Sequence, residues 1–151
     1  MKQFAKMATG IGFALLLGGC ASMNGSISST ISTTSDVNAD INGNPSAVAL
    51  NIFELTTPGQ FEKSDFMALY THPSAALGST LVAEKSVMLA PDSQETVDLP
   101  TVKGGAYLAY VVAYRDLTHS TWSLVVPVNP LPLIGASVNV MVSATGIALS
   151  L

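Results

Sequence analysis

Tyr107-Leu108-Ala109-Tyr110-Val111-Val112-Ala113-Tyr114 carries no polar group other than its tyrosine hydroxyls. A strand with one face in water alternates apolar and polar residues, whereas an unbroken apolar run reads as a central strand covered on both faces. Downstream, Ser123 to Val128 pairs with this strand across a turn at Asp116 to Thr121. Upstream, Ser86 to Leu89 and Thr96 to Leu99 flank Ala90-Pro91-Asp92-Ser93, which reads as a turn between two antiparallel strands. In the last segment Val138, Val140, Val142 and Ala144 alternate with Asn139, Met141, Ser143 and Thr145. The apolar phase then moves to Ile147, Leu149 and Leu151, a slip at Gly146 that predicts a β-bulge.

The N-terminal half adds two strands and an insertion. Ala47 to Leu55 is nearly all apolar and of a length that fits a buried strand. Asp36 to Ser46, dense in Asn, Asp, Gly and Pro, predicts an exposed loop before it. Ile27 to Thr34 contains only Ser, Thr and Ile, with Ile27 and Ile31 in phase at period two. It reads as an edge strand or as further tether, and the β-forming tendency of Thr and Ile favours the strand. Between 61 and 80 the period changes. Ser64 is placed to cap a helix, Asp65 suits its positive end, and Phe66, Leu69 and Tyr70 share one face. Pro73 ends that helix, and a second turn covers Ser74 to Leu77. About seven short strands with one helical insertion predict an all-β sandwich, immunoglobulin-like in architecture, over 27–151.

Composition narrows the function. The chain has 151 residues, 11% of them charged, against about 25% in a typical soluble protein, so a disordered polyelectrolyte is excluded. A net charge of -4 argues against a nucleic-acid partner, which needs clustered Lys and Arg. The single cysteine makes no internal disulfide and no Cys-rich metal centre.

That cysteine has a specific setting. Lys2 and Lys6 precede eleven uncharged residues, Met7 to Leu17, in the layout of a signal peptide over 1–19. The run is too short to cross a bilayer, which takes about 20 apolar residues. Leu17-Gly18-Gly19-Cys20 follows and resembles the bacterial lipobox, in which the thiol is lipidated, the preceding bond cut and the new amino group acylated. Ala21 stands where lipoproteins retained in the inner membrane often have Asp, so the resemblance points to the outer membrane. At about 0.8 kcal/mol per buried methylene, three acyl chains hold a protein almost permanently. Residues 20–26 then read as a short lipidated tether. The mature chain keeps Lys63, Lys85, Lys103 and Arg115 against all ten acids, a formal charge of -6, and has no polybasic patch for anionic lipid.

Catalytic chemistry has little to draw on. His72 and His119 lie far apart in turn regions and read as surface histidines. No serine stands in a G-x-S-x-G or S-x-x-K context, and Gly135-Ala136-Ser137-Val138-Asn139 fails at its last position. Asp36-Val37-Asn38-Ala39-Asp40 matches the opening of a calcium loop, but Ile41 and Ala47 occupy the positions that need Gly and Glu. Arg115, Asp116 and Trp122 form either a small binding site or a turn at the sheet edge with Trp122 plugging the core, and the second is the simpler reading. No enzyme activity, metal, small-molecule substrate or cofactor is expected, apart from the covalent lipid on Cys20.

Taken in order, these pieces resemble one family. They are the lipobox, Asp36 to Ser46, Ile52-Phe53-Glu54-Leu55 with Phe61, Asp65-Phe66 with Leu69-Tyr70, Leu77-Gly78, and Ala113-Tyr114-Arg115-Asp116 before Trp122. The family is the outer-membrane lipoprotein of bacterial type VI secretion systems, TssJ, also called SciN or VasD. Ala47, Asp92 and Ser123 depart from its usual residues, and the tail after Asn129 carries no signature of it. The resemblance implies a transthyretin-like sandwich. It also implies a lipoprotein on the periplasmic face of the outer membrane that binds the C-terminal periplasmic domain of the inner-membrane protein TssM. The partner contact it implies is the loop Asn38, Ala39, Asp40, Ile41, Asn42, Gly43, Asn44, Pro45 and Ser46. Two other readings fit the same residues: a chaperone-like envelope-assembly lipoprotein that binds clients through a sheet edge, and a lipid-anchored hydrolase or ligand-binding module.

Overall fold

The computed structural model describes residues 26–100, 105–128 and 136–150. Eight strands form two four-stranded sheets. One sheet has the order β4-β1-β7-β8, from Gln94–Pro100, Ser26–Thr33, Ala136–Val142 and Ile147–Leu149. The other has the order β3-β2-β5-β6, from Leu81–Leu89, Val48–Leu55, Tyr107–Ala113 and Ser123–Pro127. Pro127 closes β6 at the sheet edge, where its missing N–H costs no ladder bond.

The run that begins at Tyr107 is central, as its composition requires. β5 lies between β2 and β6, antiparallel to both. On one face Leu108, Tyr110 and Val112 enter the sandwich core with Ile27, Ile31, Leu50, Ile52, Val140 and Val142. On the other, Ala109 and Val111 join Phe53 and Leu55 beneath the insertion, which supplies Phe61, Leu69 and Leu77. Burial on both faces is therefore produced by a second sheet on one side and by helices on the other. A hydrogen bond crosses the core between the sheets, joining Ser29 Oγ on β1 and the Tyr110 hydroxyl on β5 at 2.9 Å.

The insertion consists of α1 (Gly59–Lys63), α2 (Phe66–Thr71), α3 (Pro73–Leu77) and a 3-10 turn at Gly78–Thr80. It begins two residues before the predicted 61. Its cap also differs from the expectation: Asp65, not Ser64, caps α2, its carboxylate accepting from the Ala68 N–H at 2.8 Å. Ser64 instead donates to the Gln60 carbonyl and closes α1. Pro73 starts α3 at the position where its absent N–H is harmless.

Three further expectations are corrected. β1 is no edge strand, because it pairs antiparallel with β4 and parallel with β7. Its outward Ser and Thr residues look solvent-bound in sequence, but Ser28 bonds Asp98 and Thr30 bonds Thr96 on the neighbouring strand. The turn at Ala90 to Ser93 does not join a hairpin, since β3 and β4 belong to different sheets and the chain crosses the sandwich there. The slip at Gly146 is not a bulge. Residues 143–146 reverse the chain, with the Ser143 N–H donating to the Gly146 carbonyl at 2.9 Å, and β7 and β8 pair antiparallel on either side. This split brings the strand count to eight. Gly146 is required by close approach, because a Cβ there would sit 2.7 Å from Thr121 Cβ.

All four chain reversals at 34–47, 90–93, 114–122 and 143–146 follow from this topology at one end of the sandwich. Ser26, where the described chain begins, lies at the other end together with the insertion's entry after Leu55.

Candidate interaction loop

The segment 34–47 carries the chain from β1 in one sheet to β2 in the other. Its base is built into the domain. Val37 is wholly buried and closes the end of the core. Asn38 is also buried, with a φ of 51°, a left-handed conformation that Asn tolerates better than most residues. Its side-chain amide donates to the Ala47 carbonyl at 2.9 Å and to Ser46 Oγ at 3.3 Å, and its Oδ1 accepts the Arg115 N–H at 2.9 Å. Ser46 returns a hydrogen bond to the Asn38 carbonyl at 2.8 Å.

The tip is organised by Asp40. Its Oδ1 accepts the N–H groups of Asn42 and Asn44 at 2.8 and 2.9 Å, and its Oδ2 accepts the Asn44 side-chain amide at 3.1 Å. The Asp40 N–H donates to the Asn44 carbonyl, and the Gly43 N–H to the Asp40 carbonyl, both at 2.9 Å. Asp40 to Gly43 is thus a β-turn with Asp first and Gly last, the residues such a turn favours. Gly43 has a φ of 81°, which suits glycine. The Asn44 backbone and side-chain bonds, then the Asn42 bond, with a smaller contribution from the charge of Arg115, hold the Asp40 carboxyl below its ordinary pKa.

The nine predicted loop residues therefore divide. Asn38 is buried, Ala39, Asp40 and Ser46 are half-buried, and Ile41 to Pro45 are exposed. The polar groups of Asn38, Asp40, Asn44 and Ser46 bond within the domain. Ile41, expected only as one of nine loop contacts, stands apart from the rest. It is 100% exposed, and it is the one large apolar residue in the run Asn38 to Ser46, a signal that was present in the sequence.

Beside the tip, an open groove is lined by Ala39, Asp40, Ile41, Arg115 and Asp116. Asp116 fastens its own turn: it accepts the N–H groups of Thr118 and His119 and pairs with His119 Nδ1 at 2.7 Å. The His119 side-chain bond is the main cause of a lowered Asp116 pKa. Trp122 packs against both apolar clusters and meets the Phe66 ring edge-on at 5.5 Å. The reading of this turn as a closed sheet edge plugged by Trp122 is the one the structure supports. His72 is exposed between α2 and α3. The opening calcium-loop match does not converge, because Asp36 accepts from Thr34 while Asn38 turns inward. Among the described residues no three His, Cys, Asp or Glu side chains are grouped to hold a metal. Leu17, Gly18, Gly19 and Cys20 lie outside the described residues.

Two packed antiparallel-rich sheets, a lateral helical insertion and a braced loop with an exposed Ile41 at its tip define a β-sandwich protein. The chain belongs to the type VI secretion lipoprotein family described as VasD, EvfM and TssJ, which matches residues 26–145. Solved structures share the fold. The T6SS lipoprotein TssJ1 from Pseudomonas aeruginosa superposes with a TM-score of 0.77 at 22% identity, over 84% of this chain and 95% of that one. Serratia marcescens Lip, a membrane-bound component of the type VI secretion system, gives 0.77 at 17% identity, over 83% and 97%. A chain in a structure described as the T6SS protein TssM C-terminal domain (869–1107) from EAEC gives 0.68 at 21% identity, over 83% and 98%. No curated protein sequence matches the chain.

Proposed function

We propose that this type VI secretion lipoprotein ties the trans-envelope complex to the outer membrane, its lipidated Cys20 in the inner leaflet and its loop Asn38 to Ser46 on the periplasmic domain of a TssM-like inner-membrane protein. In this reading residues 1–19 are the signal peptide, 20–26 the tether and 27–151 the adaptor domain, which acts without catalysis and without a cofactor beyond the lipid.

One observation carries the reading: the start of β1 and the loop that follows it lie at opposite ends of the sandwich. Eight strand residues at about 3.3 Å each separate the ends by roughly 25 Å. Six residues of chain from Cys20 to Ser26 add at most about 20 Å. A lipid at Cys20 would thus tether the domain by the end opposite the loop, leaving the loop end free to meet a partner rising from the inner membrane. The absence of a basic patch makes the lipid the whole of the membrane attachment.

Deleting Asp40 to Asn44 tests the loop. The variant should fold, remain in the outer-membrane fraction and fail to capture the purified TssM periplasmic domain; capture at the wild-type level would contradict the assignment. Changing Cys20 to Ser tests the anchor, with a folded, soluble periplasmic protein and no secretion as the expected result. Secretion at normal levels would contradict anchoring through the lipid.

A further inference from the structure

Ile41 is the most exposed large apolar side chain among the described residues, ahead of Met88 at 67% and Met67 at 60%. An isolated exposed apolar residue is ordinary. What distinguishes Ile41 is that the backbone on both sides of it is fixed. It occupies the second position of the Asp40 to Gly43 turn, and Asp40 ties down the N–H groups of Asn42 and Asn44 beyond it. The base below is fixed by buried Asn38. The loop therefore has no slack with which to fold Ile41 back onto its own domain. A β-branched side chain adds little rotamer freedom of its own.

This is the arrangement of a binding anchor. Ordering a loop and its side chains on association is one of the main costs of an interface, and a segment already held in place avoids it. Interface energy concentrates in a few side chains that fill pockets, surrounded by a polar rim that excludes water. Here the polar residues Asp40, Arg115 and Asp116 line the open groove beside Ile41 and are placed to form such a rim.

We infer that Ile41 is the anchor by which the loop engages its protein partner, inserting into an uncharged apolar pocket on that partner, and that Asp40 is the positioning residue that holds it outward. The inference rests on the loop being the partner contact proposed above. It specifies the chemistry of the facing surface: a pocket for a four-carbon branched side chain, rimmed by hydrogen-bonding groups.

The test measures the affinity of detergent-solubilised, full-length lipoprotein for the purified periplasmic domain of the cognate TssM-like protein, with thermal melting as a fold control. Ile41→Ala should weaken binding about tenfold. Ile41→Glu, which carries a charge into the pocket, should weaken it about a hundredfold. Neither should move the melting transition, since Ile41 touches nothing that holds the domain together. Asp40→Ala should weaken binding about tenfold, whereas Asp40→Asn should stay within about threefold of wild type, because an amide Oδ1 still accepts the two backbone N–H groups while the Asn44 amide flips to suit. Wild-type affinity for Ile41→Glu, together with loss of binding on deleting Asp40 to Asn44, would overturn the anchor and leave the loop assignment standing. Wild-type affinity for both variants would overturn the two together. Equal affinities for Asp40→Ala and Asp40→Asn would overturn the positioning role.

Discussion

Asn38 and Arg115, 77 residues apart in sequence, are joined by a hydrogen bond from the Arg115 main-chain N–H to Asn38 Oδ1 at 2.9 Å. The bond ties the β1–β2 loop to the β5–β6 turn, and through it to the central strand of the opposite sheet. The loop is consequently part of the rigid body, and its base moves only if the end of the sandwich opens.

Replacing Asn38 with Ala removes that bond and the two to Ser46 and Ala47, leaves the part-buried Arg115 N–H and Ala47 carbonyl without these partners and places Ala at a left-handed φ. Each buried group left unpaired costs about 1 to 3 kcal/mol. Urea denaturation should show a loss of roughly that size or somewhat more, and binding of the partner domain should weaken as well. A variant with unchanged stability would show that the loop base is held by something other than Asn38.

The Ser29 to Tyr110 bridge predicts a coupled pair. Tyr110→Phe leaves the Ser29 hydroxyl buried without its partner and should cost about 1 to 2 kcal/mol. Adding Ser29→Ala should cost less than the sum of the two single changes, because the second removes the orphaned group. Burial pushes the Tyr110 pKa up to about 12 from 10.0. Its stabilisation is therefore complete below pH 10 and is lost as pH rises through about 12. Tyr114 shifts in the same direction by burial, so Tyr110→Phe should make base-induced unfolding shallower without abolishing it.

Asp40 predicts the acid side. Because its pKa is lowered, the extra stabilisation that the ionised carboxylate gives the turn is complete above the ordinary carboxylate value and is lost as pH falls through the lower one. The amide NMR signals of Asn42 and Asn44 should stay fixed from neutral pH down to the ordinary carboxylate range and shift only below it. The pKa of Asp116, across the groove, is also lowered, so an Asp116→Asn control separates the two carboxylates. Movement of the Asn42 and Asn44 signals near neutral pH would contradict the assignment of the turn to Asp40.

Leu69 carries the insertion's contact with the sheet, buried between α2 and the outer face of β2 and β5. Leu69→Ala should cost about 2 to 5 kcal/mol. Denaturation monitored by Trp122 fluorescence should report it directly, since Phe66 of the same helix rests against that indole.

How much of this was readable in the sequence follows from the kind of signal each element gives. β5 was legible because a strand covered on both faces cannot carry polar side chains, and the insertion because Pro73 and the spacing of Phe66, Leu69 and Tyr70 mark helices. Pairing partners were less legible. The Ala90 to Ser93 turn looks like a hairpin because turn chemistry is local, whereas the sheet each flanking strand joins depends on β1, sixty residues away. β1 itself looked like an edge because its outward hydroxyls find partners only once β4 is beside it. The loop was legible as a loop, but its internal bonding was not. Asn38, Asp40, Asn44 and Ser46 read as free polar groups until the fold shows that they bond one another, and that is what leaves Ile41 as the exposed feature.

A photo-crosslinking amino acid placed at position 41, and in a separate strain at Glu62, on α1 in the insertion that begins at the opposite end, tests most directly the claim that the two ends of the sandwich face different partners. In cells with an assembled secretion apparatus, the account predicts a covalent adduct between position 41 and the TssM periplasmic domain and none from position 62. An adduct with that domain from position 62, or its absence from position 41 while secretion proceeds, would contradict the account.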